Sequence, residues 1–173
     1  MNILSKYDDQ LVDAFIMTIK LTVLSAIGAL LIGTLIAAMR VSPIPIARAI
    51  AVAYVTIFRN TPLTLIILFT SFGLYQTMGV SLAPQSSPTF LNENNFRLAV
   101  LGLSVYTASF VAESLRSGIN TVPVGQAEAG RSLGMTFTQN VTIVVLPQAF
   151  RAVIGPLGSV LIALTKNTTI ASV

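Results

Sequence analysis

Nineteen consecutive residues, Leu21 to Met39, carry no charge. As a helix rising about 1.5 Å per residue, this run covers about 28 Å, close to the ~30 Å hydrocarbon core of a bilayer. Inside that core every backbone N–H and C=O must find its partner within the chain, which leaves a helix or a closed barrel. The composition agrees with a membrane. Of 173 residues, 54% are hydrophobic and 9% charged, with a mean hydropathy of +0.82. A soluble domain carries about a quarter charged residues. The chain has no cysteine, which excludes a disulfide and a thiolate metal site, and no histidine, the commonest general base and metal ligand. No catalytic residue and no metal site are expected. The net charge of +4 is spread along the chain rather than gathered into a nucleic-acid patch. The start, MNILSKYDDQ, sets acids rather than a basic segment before the first apolar run, so no cleavable signal peptide is expected.

The pattern predicts four spans, at about residues 14–39, 61–79, 96–116 and 148–166. Lys20 anchors the first span by reaching toward the headgroups. Pro62 suits a helix start at the second, and the Ser-, Pro- and Asn-rich stretch from Gly79 to Asn95 predicts an exposed loop. In the third, Gly102, Ser104, Ala108 and Ser109 are small enough for close helix packing. Near its end Glu113 and Arg116 stand three apart, the spacing of a helix-surface ion pair. In the fourth, the charge-free part from Ala152 to Thr165 is only 14 residues and holds Gly155, Pro156 and Gly158. That predicts a short, broken span of about 21 Å, a mark of a substrate pathway. Lys166 then has two readings, a snorkelling lysine at the outer interface or a functional cation partway across.

Between the third and fourth spans, residues 120–147 are too polar to cross and too structured for a slack loop. Thr121 is the expected N-cap of a first short helix, with Pro123 in its first turn. Gln126 to Leu133 is helix-forming, with Glu128 and Arg131 placed to pair. Gly134 stands where a C-terminal glycine ends a helix and is expected at positive φ. A second helix is expected from Thr136 or Thr138 to before Pro147. The small residues Ala127, Ala129, Gly130 and Gly134 suit either an ordinary connector or a surface that another protein's backbone approaches closely. A DNA-binding helix-turn-helix has this outline too, but a segment held between two membrane spans cannot lie freely on DNA.

This stretch resembles the cytoplasmic coupling loop of binding-protein-dependent ABC importers: Glu-Ala-Ala, three residues, Gly, nine residues, then Ile-x-Leu-Pro. Here it reads Glu128-Ala129-Gly130, Gly134, and Val144-Val145-Leu146-Pro147, with spacing kept and with Gly130 and Val144 as departures. Phe58-Arg59-Asn60-Thr61-Pro62-Leu63 resembles the Arg-Gly-Thr-Pro-Leu signature of polar amino-acid permeases, with Asn60 in the glycine position. Tyr106 and Glu113-Ser114-Leu115-Arg116-Ser117-Gly118-Ile119 match the family's Tyr…Glu-x-x-Arg-x-Gly-Ile run.

The resemblance implies an all-α integral membrane protein, the type I transmembrane domain of an ABC importer, over 1–173. It is densest from Tyr106 onward and most similar to glutamate-uptake subunits. It implies that Gln126, Ala127, Glu128, Ala129, Gly130, Leu133 and Gly134 dock on a separate ATPase, which binds the ATP and Mg; this chain has no phosphate-binding Gly-rich loop and no cofactor of its own. Arg59, Glu113 and Arg116 are the expected structural anchors near that loop, and Lys166, Asn167 and Thr168 the expected substrate path. The other implied partners are an extracytoplasmic amino-acid-binding protein and a second, similar or identical permease. A fifth span is implied after Lys166-Asn167-Thr168-Thr169; the chain ends at Val173, which predicts a truncated protein. An ion channel or secondary transporter needing no ATPase is the competing reading.

Charge sets the expected orientation independently. Arg40, Arg48, Arg59, Arg116, Arg131 and Arg151 fall between spans one and two or three and four. The N-terminus and the 79–95 loop hold three aspartates and one glutamate against Lys6. The positive-inside rule puts the N-terminus outside a bacterial cell membrane and the coupling loop in the cytoplasm.

Overall fold

A computed structural model describes residues 8–172. Lys6, used in the orientation argument, lies outside the described residues. The described chain is helical. Helix α1 spans Asp8–Val41, α2 Pro45–Asn60 and α3 Leu63–Leu68, which continues as a π-helix over Phe69–Thr77. Helix α4 spans Phe90–Asn120, α5 Val124–Ser132 and α6 Phe137–Gln139. A π-helical stretch, Asn140–Val145, then joins α7, Leu146–Asn167, which ends in a 3-10 turn over Thr168–Ser172.

Helices α1 and α4 run parallel, and small residues set their distance. A Cβ added at Gly28 would come within 2.5 Å of Ser104 Oγ, and one at Gly33 within 2.6 Å of Val111 and 2.9 Å of the Ala108 carbonyl. Ser25, Ala29 and Ala108 are fully buried in this seam, and Ser104 Oγ donates to the Ser25 carbonyl at 3.3 Å. Hydrocarbon offers little drive for two apolar helices to associate, so close backbone packing must supply it. Of the other small residues on α4, Gly102 admits Ile67 of α3 and Thr70 of the π-helix that continues it. Helix α7 returns antiparallel along α4, with Gly118 against Ala149 and Val153 at one end and Leu164 packed near Leu103 at the other. Between α1 and α4, the chain comes back through α2 and α3, which meet at a bend of 104°. Thr61 is extended there because Pro62 follows it.

Three expectations change. The helix of the third span begins at Phe90, inside the stretch expected as a loop. Its polar first turn is stabilised by Glu93, whose carboxylate accepts from Thr89 Oγ1 at 2.5 Å and Ser87 Oγ at 3.0 Å. The second predicted short helix does not stop before Pro147, which sits in the first turn of α7. The π-helical stretch just before it has already displaced the regular i→i−4 pattern, so the missing proline N–H breaks nothing. The helix that carries the fourth span is therefore not broken. Residues 137–171 form one apolar helical run of 35 residues, and Pro156 lies inside α7 without ending it.

Candidate functional site

Helices α1 and α4 end on the same side of the molecule, and there a single carboxylate collects three cations. Glu113 pairs with Arg116 one turn below it at 2.6 Å, with Arg40 from the last turn of α1, and with Arg59 from the end of α2 at 3.8 Å. Arg59 also lies 5.6 Å from the centre of the Phe110 ring. Exposed pairs contribute little one by one. Here Arg40 and Glu113 are sheltered, at 16% and 25% exposure, while Arg59 is exposed at 44%, and the network ties three helix ends to one point. The structure thus brings the three expected anchors together. It adds Arg40, which in the sequence counts only toward the orientation. Its partner lies 73 residues away, beyond any local spacing rule.

From this side the chain enters the 120–147 segment. Thr121 is not the N-cap of α5. It ends α4, its hydroxyl donating to the Gly118 carbonyl at 2.7 Å, and Pro123 precedes the first residue of α5. The corner after α5 follows from local chemistry. Gly134 has φ +79°, the left-handed region a Cβ disfavours. Its N–H bonds the Arg131 carbonyl at 2.9 Å, and the Met135 N–H bonds the Gly130 carbonyl at 3.2 Å. This pair of bonds is a Schellman motif. One residue later a capping box starts α6: the Thr136 N–H donates to Gln139 Oε1 at 2.9 Å, and the Gln139 N–H to Thr136 Oγ1 at 3.3 Å. Two complete caps back to back leave the corner few free backbone groups, so it is stiff.

Helix α5 divides into two faces. Ala127 and Gly130 turn inward, while Gln126, Glu128, Ala129, Leu133 and Gly134 are exposed. Leu133 is 82% exposed and Phe137, across the corner, 83%. Large apolar side chains held outward on a stiff corner suit a contact with another protein. Among the described residues Glu128 and Arg131 do not pair; Arg131 Nε donates back to the Ala127 carbonyl at 3.3 Å. The inner face rests on Asn140. This buried side chain, unremarked in the sequence, donates from Nδ2 to the Ala127 carbonyl at 2.6 Å.

The three expected path residues do not converge. Lys166 is exposed near the far end of α7. Asn167 lines a cavity of about 310 Å³ between α4 and α7, with Tyr106, Thr107, Phe110 and Ser159. Thr168 is buried, donates to the Thr165 carbonyl at 2.7 Å, and lines a different cavity of about 490 Å³ beside Thr18, Asn92 and Asn95. Successive helical residues point about 100° apart, so within this chain the three side chains face different surroundings.

Comparison with known proteins agrees with this architecture. The family described as binding-protein-dependent transport system inner membrane component matches residues 29–173. The chain is 64% identical to the glutamate transport system permease protein GluC of Corynebacterium efficiens, over 94% of this chain and 72% of that protein. It is 63% identical, with the same coverage, to GluC of Corynebacterium glutamicum. A solved amino acid ABC transporter with histidines has the same fold, at a TM-score of 0.85 and 33% identity over 99% of this chain and 76% of that one.

Proposed function

The chain belongs to the family of inner membrane components of binding-protein-dependent transport systems, and we propose that it forms the path for glutamate and couples that path to a separate ATPase. It is a permease subunit of an ABC importer, a multi-pass membrane protein and a transport component rather than an enzyme. Membership favours this over a channel or secondary transporter. It also implies a binding protein and an ATPase as partners.

Identity of 64% to a glutamate permease over 94% of the chain carries the choice of substrate. In this reading α5 is the coupling helix. Gln126, Glu128, Ala129, Leu133 and Gly134 meet the ATPase from the cytoplasm, while Ala127 and Gly130 seat the helix on the membrane domain. The ATP and Mg stay on the partner. When the ATPase subunits close, α5 moves with them, and the Glu113 cluster keeps the ends of α1, α2 and α4 moving as a group. A second permease, similar or identical, packs on the exposed face of α7 that carries Gly155, Ile162 and Lys166. The path runs between the two. A glutamate side chain must shed water on the way, and a fixed cation offsets that cost. Lys166 supplies it, with the Asn167 cavity beside it and Thr168 holding the helix end.

The test is reconstitution into vesicles of the complex purified with its ATPase. ATP-dependent accumulation of labelled L-glutamate that needs the binding protein is expected. Uptake that proceeds without ATP would refute the coupling. Preference for a cationic or neutral amino acid over glutamate would refute the substrate.

A further inference from the structure

Gly130 is a costly choice for a helix of nine residues, because glycine weakens a helix relative to alanine. Its φ is not positive, so no backbone demand explains it. The reason is tertiary. A Cβ at 130 would lie 2.9 Å from Asn140 Oδ1, 3.0 Å from its Cγ and 3.1 Å from its Nδ2. The glycine makes room for an amide that is itself 4% exposed and bonded to the Ala127 carbonyl of the same helix. Asn140 in turn opens the π-helical stretch that runs without a break into α7. One side chain thus joins the inner face of α5 to the base of the helix that carries Asn167. Packing of α5 against the π-helical stretch and the capped corner complete the connection.

We propose that Asn140, admitted by Gly130, is the positioning residue that makes α5 and α7 move as one body, so that motion of the docked helix reaches the path. This rests on the reading of α5 as the ATPase-docking helix. Displacement of α5 reaches α7 through the covalent corner, through its packing on the π-helical stretch and through this amide. Without the amide the inner face of α5 loses its hydrogen bond to the base of α7, and less of its motion reaches that helix. More ATP is then hydrolysed for each molecule transported.

A reversible bond at the same place gives the test. In a disulfide, an S–S bond of about 2.04 Å puts one Cβ about 3.0 Å from the far sulfur. That is the separation found between a Cβ at 130 and Asn140 Cγ. The chain has no cysteine, so Gly130→Cys with Asn140→Cys creates the one pair able to cross-link within it. The reconstituted complex is assayed for labelled L-glutamate taken up per ATP hydrolysed, first oxidised and then after reduction of the same sample. The oxidised form is expected to keep the wild-type ratio. Reduction is expected to lower it about five-fold or more, the low end of coupling between distant sites, with the complex still intact on size exclusion. Equal ratios in the two forms, or transport restored by reduction, would overturn the proposal. Asn140→Asp, which keeps the shape and loses the donor, is the second variant; a wild-type ratio there also overturns it. If the wild-type complex takes up no glutamate with ATP, the functional reading has failed instead.

Discussion

Gly118 sits where α7 packs directly against α4, and Gly118→Ala has a cost that can be worked out. The added Cβ would overlap Val153 Cγ2 and lie 3.0 Å from the Ala149 carbonyl oxygen. Neither neighbour can yield easily. Val153 is β-branched in a helix, where one χ1 rotamer dominates, and is 2% exposed. The Ala149 oxygen is backbone. The helices must therefore part, and forced overpacking of this kind costs about 1–3 kcal/mol. Two rigid neighbours put this case near 3. Replacing glycine inside a helix returns about 1 kcal/mol, which leaves a net loss of about 2 kcal/mol. Gly158→Ala makes the same chemical change with nothing within 4 Å, so only the favourable term applies. The two variants should differ by about 3 kcal/mol in unfolding by a denaturing-detergent titration followed by circular dichroism. Adding Val153→Ala to Gly118→Ala should recover part of the loss, as a coupling of about 1 kcal/mol or more in a double-mutant cycle. If Gly118→Ala matches Gly158→Ala and Val153→Ala brings no relief, the close approach is not a constraint and the reasoning fails.

Other outcomes follow from the same geometry. With the N-terminus outside, a cysteine at Ser87 should react with a membrane-impermeant thiol reagent in intact cells and one at Thr138 should not; the reverse pattern would overturn the orientation. Gly134→Val puts a β-branched residue at φ +79°, costing roughly 1 kcal/mol or more. It should leave the protein in the membrane while weakening co-purification of the ATPase, and normal co-purification with normal transport would count against the docking role. Lys166→Met should sharply reduce glutamate uptake with assembly and basal ATP hydrolysis retained. Uptake equal to wild type in rate and affinity would make Lys166 an interfacial anchor.

What could be read from the sequence was what neighbours along the chain settle among themselves. The charge-free run from Leu21 to Met39 predicted a long helix because the bilayer fixes the length a helix needs. Gly134 was legible because its Schellman bonds reach only to Gly130 and Arg131, within five residues. A helix start at Thr136 or Thr138 was legible, and the capping partner three residues on settles it at Thr136. The grouping of arginines was visible as a count, without the contacts they make.

The tertiary structure decided whatever needed two distant segments. Arg40 meets Glu113 only because α1 and α4 run parallel with small residues between them. Gly118 in the Glu-x-x-Arg-x-Gly run gains its purpose from Val153, and Gly130, a departure from the family pattern, gains its own from Asn140. The continuity of the helix through the fourth span is also tertiary, because Gly155, Pro156 and Gly158 along the sequence point to a break that the structure does not show. Arg151 lies well inside the run from 137 to 171, and an exposed arginine on a helix that packs on one side does not end it. Local hydrogen bonding follows sequence distance, whereas packing and charge pairing follow distance in space, and only the fold sets that.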